Sequence, residues 1–314
     1  MTGRLRGRED LAANASAFVA AALLGGSVVA VRVAVRDIPP TTLAVIRFGM
    51  GALVLLGAIA VIRPALLHVD LRSLRFDVLL GAIIFSLFPL SFNIGLQFTQ
   101  ATRGALMLAT LPIWSMLLAR WFLGERLGTR RTVGVLLTLC GVLIVVGERG
   151  LNLEANGRAL LGDALVLFTA FLGALYGVLT KRAFKIQHPL TVVSYAMLSG
   201  TLVLLPIALW EGIIDEFIQI DSSLALIVLF LGIPGGAIAF GMWTVALAQL
   251  SPTQVAVYIN LNPIVAAALG VLLLSERATP VFLLSFTAVI AGVLLVNWPA
   301  KDRSVVEMPP DERD

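Results

Sequence analysis

The sequence predicts an all-α integral membrane protein: ten transmembrane helices arranged as two inverted five-helix repeats. Three observations carry that fold class. Of 314 residues, 59% are hydrophobic and 13% charged, with a mean hydropathy of +0.96, whereas soluble domains carry about 25% charged residues. Ten apolar segments approach the roughly 20 residues needed to cross about 30 Å of hydrocarbon. Two of them, within 102–126 (TRGALMLATLPIWSMLLARWFLGER) and 253–277 (TQVAVYINLNPIVAAALGVLLLSER), share one pattern: an apolar run, a central proline and a terminal Glu-Arg.

The spans fall at 12–34, 41–62, 78–98, 102–123, 130–147, 160–180, 189–210, 223–246, 253–274 and 279–298. Most connections are short, so consecutive helices are antiparallel neighbours. The longest are the loop 152–158 and an acidic loop carrying Glu211, Asp215, Glu216 and Asp221. Residues 1–11 and 299–314 read as tails. The first is basic but leads into a full-length span with no small-residue cleavage site, so it reads as a retained cytoplasmic tail. The last is polar and proline-containing, a composition that favours disorder.

Orientation follows the Lys and Arg residues. With the N-terminus in the cytoplasm, sixteen of the 23 fall on the inner side and six on the outer; Arg47 lies within a span. Both termini are then cytoplasmic. The net charge of +4 reflects this bias. No basic run is interleaved with aromatics, so a nucleic-acid partner is not expected. The partners expected are the lipid bilayer and a small-molecule substrate. The chain is expected to act as a monomer, with a dimer as the alternative.

Shifting the first half by 151 residues superposes Pro112 on Pro263, Glu125 on Glu276 and Gly141-Val142-Leu143 on Gly292-Val293-Leu294. Upstream the register shifts slightly, and Leu24-Gly25 matches Leu172-Gly173. The halves are 12–147 and 160–298. Five spans per half force the second half to enter from the opposite side. Inverted repeats place a substrate site near the midplane, at the repeat interface.

The stretches SVVAVRVAVRDIPP and IRFGMGALVLL, PIWSMLLARWFLGERL, GDALVLFTAFLGALYGVLTKR and YINLNPIVAAALGVLLLSER resemble the drug/metabolite transporter superfamily, in its EamA-like branch. The resemblance covers about residues 12–298. It implies ten helices in two inverted halves and carriage of small metabolites, often amino-acid export. Within the branch the chain is similar to bacterial exporters of aromatic and neutral amino acids, in the inner (cytoplasmic) membrane. The aromatic residue common before the family's first-helix small-residue motif is absent, Leu24-Gly25-Gly26-Ser27 standing there.

Candidate substrate-binding residues come from helix geometry. Residues four apart share a face, which aligns Arg103, Met107 and Leu111, with Trp114 close by. In the partner helix it aligns Gln254, Tyr258 and Asn262. A polar stripe facing lipid is costly, so both stripes are expected to face a central cavity; packing between helices is the alternative. Asn93 and Trp243 come from spans three and eight, and Ser27 and Tyr176 from spans one and six. Gly232-Ile233-Pro234-Gly235-Gly236 reads as a bending point or a place where another helix nests.

Pro112 and Pro263 would each deprive the carbonyl four residues back, Leu108 and Ile259, of its partner. Hinges, acceptors for a substrate ammonium group and simple kinks are the alternatives. Glu125 and Glu276 are expected to fasten a turn to the next helix start; gating is the alternative. Asp163 reads as a helix cap. Arg47 reads as pairing with a neighbouring helix or drawing a substrate carboxylate. His68 and His188 read as plain connection residues, and Cys140 has no partner for a disulfide. No GxxxxGK[ST] loop, metal-ligand set or Ser-His-Asp group is visible, so no catalysis, cofactor or metal is expected. Other cargo (drugs, purines, nucleotide sugars) on the same fold is the first alternative, and a membrane-embedded lipid enzyme a remoter one.

Overall fold

Helix starts are set by prolines and polar caps. In the computed structural model, residues 2–35, 37–99, 104, 107–125, 128–148, 157–213, 222–262, 264–265 and 280–298 are described. Among them every regular element is helical. Helix α1 spans Thr2–Ala34 and α2 Pro40–Ile62, with Pro40 in its first turn, where a missing N–H costs nothing. A 3₁₀ turn, Pro64–Leu67, leads to α3, Leu71–Gly81. Asp70 caps α3 by accepting from the N–H groups of Arg72 and Ser73. A π turn, Ala82–Leu87, joins α3 to α4, Phe88–Phe98.

Helix α5 is Leu111–Leu123, closed by Gly124 at φ +69°, a left-handed position that only glycine takes without strain. Then follow α6, Thr129–Glu148, α7, Gly157–Ala183, and α8, Pro189–Trp210. Helix α9, Ser222–Gly232, continues through a second π turn, Ile233–Ile238, into α10, Ala239–Gln249. Helix α11, Pro252–Ala256, has a Ser251/Gln254 capping box and tightens into a 3₁₀ turn, Val257–Leu261. Helix α12 is Pro280–Asn297.

Six described helical stretches are long and apolar enough to cross a membrane: Asp10–Val31, Pro40–Ile62, Leu71–Phe98, Gly157–Ala183, Pro189–Trp210 and Leu224–Gln249. Leu111–Leu123 and Leu283–Asn297 are shorter apolar helices. Large apolar side chains such as Val61, Trp121 and Trp210 stand outward on the surface. That is the exterior of a membrane protein, whose solvent on those faces is hydrocarbon.

The two interrupted helices correspond residue by residue. Leu71 and Ser222, Ala82 and Ile233, and Phe88 and Ala239 open equivalent elements, each pair 151 residues apart. Pro89 follows the first π turn and Pro234 lies within the second, and their missing N–H groups interrupt the regular ladder. Packing follows the same exchange: α1 lies on α10 as α4 lies on α7, and α2 lies on the second π turn as α8 lies on the first. Helix α2 packs on α8, and α6 on α12.

Small residues set the closest crossings. On α6 and α12, a Cβ at Gly134 would stand 2.9 Å from the Gly292 carbonyl, and one at Gly141 3.0 Å from that of Ser285. The descending register makes the pair antiparallel. Gly81 and Gly200 bring α3 and α8 together equally closely: a Cβ at Gly81 would stand 2.2 Å from the Ala196 carbonyl. Backbones meet there because glycine and serine leave the room.

Candidate functional site

Two aromatic groups and a set of buried polar side chains occupy the interior. In the first group Phe85 meets Phe48 at 5.0 Å, Phe240 at 4.9 Å and Tyr176 at 6.4 Å between ring centroids, all edge to face. These rings come from the first π turn, α2, α10 and α7. Tyr176 is fully buried and its hydroxyl lies beside Thr244 of α10; neither hydroxyl completes a hydrogen bond. Trp243 is half-buried against the same core. In the second group Trp114 of α5 meets Phe171 of α7 edge to face at 5.7 Å, with Leu108 and Ile259 in the same cluster.

The segment 257–262 supplies most of the polar atoms. Tyr258 donates from its hydroxyl to Asn14 Oδ1 of α1 at 2.8 Å. Asn260 Nδ2 donates to Thr138 Oγ1 of α6 at 2.9 Å, while its Oδ1 is buried without a partner. Asn262 Oδ1 is likewise buried and unpartnered, and the Asn262 backbone lies against Gly25 of α1. The structure therefore brings Tyr176 together with Thr244, and Trp114 with the 3₁₀ segment. It leaves Asn93 half-buried on α4, and half-buried Met107 lends its carbonyl to the Thr110 N–H and hydroxyl. Ser27 is committed to packing: its hydroxyl donates to the Leu23 carbonyl at 2.8 Å, directly under Gly235.

Several expectations are corrected. The stripe Gln254, Tyr258, Asn262 does not run down one face, because 257–261 is 3₁₀, with about three residues per turn. The Ile259 carbonyl is not left without a partner by Pro263; it accepts from the Asn262 N–H in the same tightened turn. Pro112 does not kink a continuous span. The chain turns at Ala109-Thr110, and Pro112 sits in the first turn of α5. Asp163 is no cap, since α7 begins at Gly157; it accepts from the Thr99 hydroxyl at 2.6 Å and ties α7 to the end of α4. Arg103, Pro263 and Glu276 lie outside the described residues.

Other residues meet their expectation more nearly. Arg47 is half-buried and pairs with a neighbouring helix: its Nη2 donates to the Gly235 carbonyl in the second π turn at 2.9 Å. The guanidinium also lies over the Phe48 ring. Gly235 and Gly236 form a nesting place, against Ser27 and the Arg47 carbonyl, and the same segment is the π bend. Glu125 ties its turn to the next helix, through the Arg131 side chain at 3.5 Å rather than through N–H groups. Burial raises the Glu125 pKa, against the opposing pull of Arg131, Lys181 and the Ser251 hydroxyl.

Sequence reasoning missed the phenylalanines, because apolar rings in apolar spans carry no distinguishing signal, and it missed Asn14, Thr138 and Asn260, whose partners lie on distant helices. It also missed His188, whose Nδ1 accepts from the Leu190 N–H and caps α8. Burial, and then Arg63, lower the His188 pKa.

The sequence pattern of the EamA-like transporter family matches residues 11–147 and again 160–298. This chain belongs to the EamA-like transporter family. Relatives of this EamA-like protein include an uncharacterised transporter of Archaeoglobus fulgidus, 29% identical over 87% of this chain and 92% of its own length. A probable terminal-alkyne amino-acid exporter of Streptantibioticus cattleyicolor is 30% identical over 72% of this chain and 74% of its own. A probable amino-acid metabolite efflux pump of Escherichia coli is 25% identical over 90% and 94%. A crystal structure superposes with a TM-score of 0.75 at 18% identity, covering 90% of this chain and 95% of that one, a likeness of fold. The EamA-like protein is thus a multi-pass membrane transporter, and its site is to be read as one for binding and release.

Proposed function

We propose that this EamA-like protein is an alternating-access carrier that exports neutral or aromatic amino acids, or similar small metabolites, across the bacterial cytoplasmic membrane. Its ten spans would form two inverted five-helix halves, with both termini cytoplasmic. The 151-residue correspondence of the two π-interrupted helices supports that arrangement. Two relatives named for amino-acid export support the cargo.

The observation that carries the reading is the character of the interior. Unpartnered buried oxygens of Tyr176 and Thr244 stand on α7 and α10, which also bear Phe171, Phe240 and Trp243, and those of Asn260 and Asn262 stand on the segment 257–262, whose Ile259 packs in one cluster with Trp114 and Phe171. An unsatisfied buried polar group costs about 1–3 kcal/mol. A solute offering N–H and O–H groups beside an apolar side chain relieves that cost and keeps the apolar part on aromatic walls. Arg47 is engaged with the Gly235 carbonyl, so this lining suits a zwitterion or neutral solute better than a phosphorylated one.

The test is efflux from liposomes holding the purified protein and a panel of labelled solutes. Neutral amino acids should move, and Tyr258→Ala and Asn262→Ala should slow them while expression stays near normal. Movement of drugs, purines or nucleotide sugars with no neutral amino acid would overturn the cargo. Unimpaired transport in both variants would overturn the site.

A further inference from the structure

Asp77 is a carboxyl group with no exposed surface in the second turn of α3. Its Oδ1 accepts from Nε2 of Gln187, in the connection between α7 and α8, at 3.2 Å. Two atoms of this pair are buried without partners: Asp77 Oδ2 and Gln187 Oε1. Both are acceptors as long as the carboxyl is ionised. One proton on Oδ2 would supply the missing donor: an acid O–H from Oδ2 to Oε1, beside the amide N–H to Oδ1, would join acid and amide by two hydrogen bonds and satisfy both unpartnered atoms.

The surroundings offer no other way to settle a charge there. Among the described residues no Lys, Arg or His lies within 4 Å of the Asp77 carboxyl. The groups facing it are Asp70, a like charge from the cap of its own helix, Tyr176 from α7 and Ser199 from α8. The Ser199 hydroxyl is directed to the backbone carbonyls of Asp77 and Ala196. One turn further on, Gly81 seats α3 directly on the α8 backbone, so this wall is closed. An uncompensated buried carboxylate is costly, and such a group takes up a proton instead.

We propose that Asp77 and Gln187 form a proton-binding site, closed as an acid–amide pair in the conformation seen here and opened, with loss of the proton to water, when α3 parts from the 184–188 connection. The position related to Asp77 by the 151-residue offset is Val228, so the latch belongs to one end of one half. Proton occupancy and conformation are then linked, and lower pH favours the latched form by up to tenfold per pH unit between the two states' titration points. The role in transport rests on the carrier reading above; the proton site does not.

Infrared spectra of the full-length protein in lipid nanodiscs at pH 7 test it. The wild type should show a protonated-carboxyl C=O band that Asp77→Asn abolishes. Asp77→Asn can make the same two bonds, so it should fold, with a melting temperature that has lost the wild type's gain from pH 8 to pH 6. Gln187→Leu, with no hydrogen-bonding group, should move the band to higher wavenumber. Absence of a band assignable to Asp77 at pH 7, an unchanged pH dependence in Asp77→Asn or an unmoved band in Gln187→Leu overturns the proposal. None of these readouts needs a substrate, so a chain that keeps the band and moves no amino acid fails the carrier reading alone.

Discussion

Tyr258 shows how much at the residue scale hangs on one hydroxyl. It bonds Asn14 across 244 residues of sequence, joining the start of α1 to the 3₁₀ segment. Tyr258→Phe keeps the ring and should lower stability by about 1 kcal/mol, the worth of one hydrogen bond, read from thermal unfolding in detergent. No loss would mean that the bond is exchanged freely with water. His188 makes a second prediction. Its cap on α8 needs an unprotonated Nδ1, and its pKa is lowered on folding. The unfolded chain therefore binds the proton more readily, and the stabilising share is complete above about pH 6.5. It fades as pH falls through the lowered folded value. His188→Asn should keep a cap and flatten that part of the pH–melting curve. The Asp77 site acts in the opposite direction, so the two variants separate the effects. The sequence showed Tyr258 as a polar group in an apolar stretch. It did not show the His188 cap, because histidine is not among the usual capping residues, nor Asp77, which stands just before the apolar run that marks its span.

Elements are tied by backbone proximity, which makes glycine substitutions informative. A Cβ at Gly200 would stand 2.4 Å from the Phe85 Cβ and 2.7 Å from the Gly81 carbonyl. Gly200→Ala should destabilise by about 1–3 kcal/mol, as overpacking does, with a matching fall in melting temperature. Gly57→Ala meets nothing within 4 Å and should leave that temperature unchanged or raise it slightly. Helix existence was readable from apolar length, but the start at Leu71 was not, because the Asp70 cap opens a polar first turn ahead of the apolar run at 78–98. The interruptions were less readable. Pro112 and Pro263 were visible, but whether a proline kinks, starts or tightens a helix depends on neighbouring turns. For Pro112, Thr110 bonding Met107 decides it.

At the scale of the whole molecule, an offset of 151 residues relates the Pro and Glu-Arg motifs, the boundaries of the two interrupted helices and both π turns. The recurrence along the chain was legible because Pro, Gly and Glu-Arg positions recur in one order. The interior was not, since it is built from phenylalanines and amides that look alike in every span. If the halves rock about a common site, the two ends open in turn. Cys140 is the single cysteine and is exposed, so Cys140→Ser gives a clean background for paired spin labels. Labels at exposed Arg75 and Gln249 report one end, and labels at exposed Asp37 and Arg158 the other. Electron–electron distance measurements in liposomes, with and without a neutral amino acid, test alternating access most directly. The account predicts two distance populations at each end, one end widening as the other closes. One unchanging distance at both ends, in a protein that still moves solute, would contradict it.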